Sequence, residues 1–164
     1  MNNIHQTKIS YLINIPTIED EGYLSFMEKD NQVPFNIQRV YYIYDVKNDA
    51  VRGKHAHKKT KQILFCLKGR VKIILDNGVE HETITLDSPY TGIYLDKMMW
   101  HEMLSFTKDT VLLVLASEKY NENDYIRNYA AFVNHSRGFL QNLILSIPKL
   151  SFRRKLSFGF KMRL

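Results

Sequence analysis

Between residues 37 and 116 the chain breaks into short runs rich in apolar, β-branched and aromatic residues, each ended by turn-forming residues. The runs are Ile37-Gln38-Arg39-Val40-Tyr41-Tyr42-Ile43-Tyr44, Ile63-Leu64-Phe65-Cys66-Leu67, Val71-Lys72-Ile73-Ile74-Leu75, and residues 81–86, 91–95, 101–106 and 110–116. Lys68-Gly69, Asp76-Asn77-Gly78, Asp87-Ser88-Pro89, Asp96-Lys97 and Thr107-Lys108-Asp109 separate them. Short strands with turn signals every ~8–12 residues predict an antiparallel sandwich or barrel rather than a parallel sheet. Asn77-Gly78 between two such runs is a strong hairpin signal. Upstream, residues 9–13 read as a first strand, followed by the acidic turn Glu19-Asp20-Glu21-Gly22 and the run Tyr23-Leu24-Ser25-Phe26.

With 164 residues, 45% of them apolar, the chain suits one domain with a real core. Its net charge of +6 would suggest an acidic partner, but the charge is unevenly placed. Seven of the 23 Lys and Arg residues, and none of the 17 Asp and Glu, fall in residues 136–164. The body is close to neutral, which gives no reason to expect a nucleic acid partner, and the tail carries the basicity. Cys66 is the single cysteine and lies in an apolar run, so it reads as a buried small hydrophobe and no intrachain disulfide can form. The N-terminus has no charged region followed by an apolar one, and no apolar run is long enough to span a bilayer, so the expected compartment is the cytoplasm.

Chemistry concentrates at Arg52-Gly53-Lys54-His55-Ala56-His57-Lys58-Lys59-Thr60-Lys61-Gln62, followed by Gly69. In an extended strand His55 and His57 share a face, and Gln62 can return to it. Arg39 and Tyr41 share a face on the preceding strand by the same rule. A histidine pair with a third, His101, further along first suggests a metal site. The spacing His55-x-His57-x4-Gln62-x6-Gly69, with Trp100-His101 in a later strand, resembles the two motifs of the cupin superfamily, a small β-barrel of jelly-roll type. Metal-binding cupins usually have a glutamate where Gln62 stands. A neutral amide is a weak ligand for a divalent cation, so no metal and no cofactor is expected, and the imidazoles are left for proton transfer.

A narrower resemblance is carried by Arg39-Val40-Tyr41-Tyr42-Ile43-Tyr44-Asp45, Arg52-Gly53-x-His55-Ala56-His57-Lys58-Lys59, Leu86-Asp87-Ser88-Pro89, Trp100-His101-Glu102-Met103, Leu115-Ala116-Ser117 and Asp124-Tyr125-Ile126-Arg127. Together, over residues 9–133, they resemble the dTDP-sugar 3,4-ketoisomerases, cupin enzymes of the WxcM-like or FdtA-like group. The resemblance implies an all-β cupin barrel, the substrate dTDP-4-keto-6-deoxy-D-glucose, no metal, and a homodimer that exchanges an N-terminal strand. The expected product is dTDP-6-deoxy-D-xylo-hex-3-ulose, a precursor of 3-amino-3,6-dideoxyhexoses of surface polysaccharide such as lipopolysaccharide O-antigen. Glu21-Gly22 stands where relatives are expected to carry Arg-Gly, and a carboxylate there bears on the stereochemistry at C4.

Moving a ketone from C4 to C3 needs a base for the C3 proton, an enediol, and a proton for C4. Histidine suits that work near neutral pH. His57 is the candidate base, with His55 as shuttle or polarising partner; spacing alone does not decide between them. Tyr41 could donate to the enediolate oxygen. Arg39, Arg52, Lys59 and Arg127 are candidates for the pyrophosphate. Gln62 would hold a histidine tautomer or a sugar hydroxyl, Trp100 offers a flat face to sugar or thymine, and His101 would lie near the hexose. The competing structural readings are hydrogen-bonded core histidines, aromatic packing by the tyrosines, a solvated edge for Lys58, Lys59 and Lys61, and a helix cap plus surface ion pair for Asp124 and Arg127. Functional rivals are a dTDP-sugar 3,5-epimerase, a metal-dependent oxygenase, and a non-catalytic nucleotide-sugar-binding cupin.

Downstream, Asn123 or Asp124 is the expected cap of a helix over 125–133, Gly138 its end, and 139–147 a second helix before Pro148. Residues 156–164 alternate apolar and polar as a strand would. The organisation expected is a catalytic domain over 1–135 and a basic extension over 136–164. That extension packs on the barrel or dimer in preference to touching an anionic membrane.

Overall fold

The computed structural model of the chain describes residues 4–47 and 49–146. In chain order its strands are β1 (Ile4–Gln6), β2 (Tyr11–Asn14), β3 (Thr17–Glu19), β4 (Tyr23–Ser25), β5 (Arg39–Ile43), β6 (Arg52–His57) and β7 (Gln62–Lys68). β8 (Val71–Asp76), β9 (His81–Leu86), β10 (Thr91–Leu95), β11 (Trp100–Leu104), β12 (Val111–Ala116) and β13 (Tyr125–Ile126) follow, and helix α1 (Tyr129–Ser146) closes the described part. The strands form a six-stranded sheet ordered β1-β2-β10-β7-β12-β5 and a five-stranded sheet ordered β13-β6-β11-β8-β9, with β3-β4 as a separate hairpin. All named strand pairs are antiparallel, and the non-sequential order is that of a jelly roll.

Alternation along each strand decides what lies inside. Leu64 and Cys66 of β7, Ile73 and Leu75 of β8, Met103 of β11, and Leu112 and Val114 of β12 form the core between the sheets. The intervening Ile63 and Phe65 of β7, with Leu115 of β12, face the other way and are covered by Ile15, Val33 and Phe35. Cys66 is buried, as its apolar neighbours predict. The Asn-Gly turn forms a hairpin with Asp76 opposite His81, so its loop is Asn77 to Glu80, longer than the tight two-residue form. β1 pairs with β2 of its own chain through the turn at Thr7 and Ser10, the place where any exchange between subunits would have to open.

The C-terminal part differs from expectation. Residues 125 and 126 are strand β13, paired with His57 and Ala56 of β6. The helix begins after Asn128, whose side chain accepts from the Ala131 amide at 2.9 Å. Gly138 lies inside α1 rather than ending it, and one helix stands where two were expected, crossing the expected boundary at 135. A glycine interior to a helix costs only about 1 kcal/mol, which the packed Phe132 and Ser136 side outweighs. The strand expected over 156–164 lies outside the described residues. Among the described residues no helix is long and apolar enough to cross a membrane.

Candidate active site

The histidines sit at the end of β6, aimed by a distortion written into the sequence. Gly53 (φ +82°) and Lys54 (φ +55°) both adopt left-handed backbone. Opposite them, His101 pairs with His55 while the next residue, Glu102, pairs with Gly53, so Lys54 is the extra residue of a β-bulge. A Cβ on Gly53 would lie 2.7 Å from the His101 carbonyl oxygen, so only glycine fits. As a neutral imidazole, His55 donates its Nδ1 proton to the Gly53 carbonyl at 2.9 Å.

His57 is 3% exposed and places Nδ1 2.9 Å from Oδ2 of Asp124, in the segment that crosses this end of the barrel. Asp124 also accepts from the Thr60 hydroxyl at 2.5 Å and the Lys59 amide at 2.7 Å. Burial pushes the Asp124 carboxyl up, but those hydrogen bonds and the one from His57 outweigh it and hold the group below its ordinary value. Burial lowers the His57 pKa, and the bond and charge of Asp124 pull back without reversing the shift. His57 is therefore neutral near pH 7, donates from Nδ1 to a fixed carboxylate, and keeps an unshared lone pair on Nε2. Nε2 is buried and has no hydrogen-bond partner among the described residues.

His55 and His101 complete a cluster of imidazoles. The His55 ring lies 4.9 Å from His57 and 4.5 Å from His101, both edge to face, and His57 and His101 are 6.2 Å apart. Burial pushes His55 down to about 4, opposed by its bond to Gly53 and assisted by the charge of His57. Complete burial carries His101 well below the ordinary range, with both other imidazoles adding to the effect. Tyr125 of β13 closes the cluster, its ring 4.4 Å from His57 and 4.8 Å from His55. Among the described residues no group of three or more His, Cys, Asp and Glu side chains is arranged to hold a metal ion.

Arg39 and Tyr41 share the inner face of β5, as alternation predicts. The Arg39 guanidinium stands 5.1 Å from the Tyr41 ring and 5.7 Å from Tyr120, and its Nε is buried without a partner among the described residues. Burial pushes the Tyr41 phenol up to about 12, so it stays protonated. Its oxygen accepts from Nε2 of Gln62 at 2.9 Å, which leaves its own proton free to donate.

Three expectations need correction or refinement. Gln62 reaches the site but holds Tyr41; the group that orients a histidine is Asp124, read from sequence as a helix cap. Trp100 is 5% exposed and packs against Phe132 beneath α1, with Nε1 donating to Glu102 at 3.0 Å. Adjacent strand residues point to opposite faces, so placing His101 inside turns Trp100 away from it. Arg127 is an exposed ion pair with Glu122 at 2.8 Å, as one reading held, yet its guanidinium also lies 4.4 Å over the Tyr125 ring at the edge of the cluster. Arg52 is exposed at the head of β6, and Lys59 is exposed on the wall of a cleft that Tyr120 and Asp124 also line. Asp124, Tyr125 and Tyr120 were missed as site residues. The motif Asp124-Tyr125-Ile126-Arg127 was the available signal, but its partner His57 lies 67 positions away.

The profile of the family described as FdtA, WxcM-like, C-terminal, matches residues 6–137. The chain is 50% identical over 115 residues to a TDP-4-oxo-6-deoxy-α-D-glucose-3,4-oxoisomerase of Aneurinibacillus thermoaerophilus, covering 70% of this chain and 83% of that one. It is similar to a sugar 3,4-ketoisomerase of Thermoanaerobacterium thermosaccharolyticum crystallised with TDP. There the TM-score is 0.78 at 44% identity, over 82% of this chain and 98% of that one. A mutant of the same enzyme, in complex with TDP-4-keto-6-deoxyglucose, aligns with a TM-score of 0.77 at 43% identity, over 81% and 97% of the two chains. Residues 6–137, which hold the jelly roll, the histidine cluster and its Asp124, make this chain a member of the FdtA, WxcM-like family.

Proposed function

We propose that this enzyme moves the keto group of dTDP-4-keto-6-deoxy-D-glucose from C4 to C3 by histidine acid–base catalysis. The observation that carries the reading is the buried, partnerless Nε2 of His57, backed at Nδ1 by Asp124. A neutral imidazole in that state is a general base whose imidazolium is stabilised as it forms. His57 takes the C3 proton, and the electron pair moves through the C3–C4 bond to the C4 oxygen. Protonation of that oxygen gives the enediol; loss of the O3 proton and return of a proton to C4 complete the isomerisation with no net redox change. Tyr41 donates to the developing oxyanion, and His55 is placed to relay the hydroxyl protons. Arg39, with its half-buried charge and unpaired Nε, is the cation for the anionic part of the substrate, joined at the rim by Arg52, Lys59 and Arg127.

The relatives support the substrate class, since one is named for the TDP-4-oxo-6-deoxyglucose reaction and another was crystallised with the 4-keto sugar nucleotide. We assign the product as dTDP-6-deoxy-D-xylo-hex-3-ulose, made in the cytoplasm by a homodimer. The catalytic domain is residues 1–135, with 136–164 as an appended basic segment. The test is proton NMR of the chelator-treated protein with dTDP-4-keto-6-deoxyglucose in deuterated water, alongside His57→Asn. The expected result is a ketone at C3 with deuterium at C4 for the wild type and none for the variant, and the C4 coupling constant reads the stereochemistry. Deuterium at C3 and C5 with the ketone unmoved would instead identify a 3,5-epimerase, and no exchange at all a binding protein or a metal-dependent enzyme.

A further inference from the structure

The rim of the histidine cluster carries a carboxylate beside its cations. Glu122, in the segment between β12 and β13, accepts three hydrogen bonds: from Nε and Nη2 of Arg127 at 2.8 and 3.0 Å, and from the Tyr120 hydroxyl at 2.6 Å. Those bonds, the ones from Arg127 first, hold its carboxyl down to about 2, so it carries its negative charge throughout the neutral range. The Tyr120 and Tyr125 rings lie 5.8 Å apart, and each has a guanidinium against it, Arg39 at 5.7 Å from Tyr120 and Arg127 at 4.4 Å from Tyr125. Arg39 forms no ion pair among the described residues, whereas Arg127 is already spent on Glu122.

A negative charge at the rim repels an anionic ligand, so Glu122 opposes the binding that Arg39 and Arg127 favour. Its hold on Arg127 is weak. The side chains of Arg127 and Glu122 are 53% and 56% exposed, and a solvated ion pair is worth at most about 5-fold in an equilibrium constant. A diphosphate offers the same fork more charge and more acceptor oxygens than one carboxylate does, and a guanidinium takes a phosphate in the same bidentate geometry. Exposed Tyr120 shares Oε2 of Glu122 with Arg127, so departure of that one carboxylate frees a hydroxyl donor and a guanidinium together.

We propose that Glu122 is a placeholder for the anionic part of the ligand: it holds Arg127 and Tyr120 while the site is empty, and an incoming diphosphate displaces it and takes both donors. The exchange is one of hydrogen-bond partners alone, with no covalent bond made or broken. It screens ligands by charge, since a neutral nucleoside or sugar cannot compete with the carboxylate and leaves the ion pair intact. The inference deepens the ketoisomerase reading and rests on its assignment of Arg127 to the anionic part of the substrate.

The test is equilibrium dialysis of the full chain with TDP at about 0.15 M ionic strength, for wild type, Glu122→Gln, Arg127→Gln and the double variant. Both positions are exposed, so the fold is expected to survive each change, with melting temperature as the control. Glu122→Gln is expected to tighten TDP by ~2–5-fold, because it removes the competitor for Arg127. In the Arg127→Gln background the same change is expected to alter TDP affinity by less than ~1.5-fold. A carboxylate that only braces the segment predicts the opposite sign, so unchanged or weaker binding by Glu122→Gln overturns the placeholder. Equal tightening in both backgrounds also overturns it and reduces Glu122 to general repulsion. A wild type that binds no TDP overturns the substrate reading and this inference with it, whereas TDP binding by the wild type without tightening in Glu122→Gln overturns the placeholder alone.

Discussion

Asp124→Asn is the most informative single change. The carboxylate stands 2.9 Å from Nδ1 of His57, so it stabilises the imidazolium that forms as the C3 proton is taken. At an effective dielectric constant of about 20, two unit charges at that separation interact by roughly 6 kcal/mol. An asparagine dipole returns part of this, leaving a loss of ~3–4 kcal/mol, or about 10²–10³-fold in kcat. Asparagine can also present its NH₂ to Nδ1, which would move the imidazole proton to Nε2 and abolish the base. The pH profile carries a second signature with a defined sign. Burial lowers the His57 pKa and Asp124 raises it, so removing the charge lowers it further and shifts the acid limb of kcat/KM to lower pH. The assay is initial-rate NMR or coupled turnover from pH 5 to 9, with TDP affinity measured in parallel to establish that the cavity is intact. Asparagine also places a donor near the Thr60 hydroxyl and Lys59 amide, so a stability loss of ~1–3 kcal/mol accompanies the change without accounting for a 100-fold rate effect at 25 °C. A kcat within about 3-fold of wild type, or an acid limb that moves upward, would refute the argument that Asp124 sets the state of His57.

Gly53→Ala forces a Cβ to within 2.7 Å of the His101 carbonyl at a φ of +82°, so both His55 and His101 must shift. Turnover is expected to fall by at least ~10-fold with a stability loss of ~1–3 kcal/mol, and wild-type activity would show that the bulge does not aim the histidines. His55, pushed by burial down to about 4, titrates near 6.5 once unfolded. The unfolded chain therefore binds more protons below pH 6.5, and stability is complete above that pH and falls steadily toward pH 4. Urea unfolding at pH 7.5 and 5.0 should differ by up to about 2 kcal/mol from His55 alone, and a flat profile would contradict its burial as a neutral base. Trp100→Phe removes the hydrogen bond to Glu102 and some packing under α1, so the melting temperature should drop by several degrees with KM unchanged. A KM raised ~10-fold without loss of stability would restore Trp100 to the substrate.

The alternation and turn chemistry from residue 37 to 116 determined an antiparallel jelly roll, because inside and outside follow a period of two that each strand carries by itself. β9 and β10 fall at the residues expected, and the histidines and Tyr41 face inward. Local rules also place Trp100 and His101 on opposite faces, so the error over Trp100 came from assigning both to the site. What no local pattern holds is which loop lies over which strand end. Asp124 caps no helix because Thr60, Lys59 and His57 reach it from more than 60 positions away. Tyr125 and Ile126 pair with β6 in place of starting the helix. In the same way Gln62 met Tyr41, 21 positions earlier, and not a histidine. The sequence by itself determined the period, the turns and a family's motifs; the tertiary structure alone decided the hydrogen-bond partners, because those depend on distances between segments that only the closed barrel brings together.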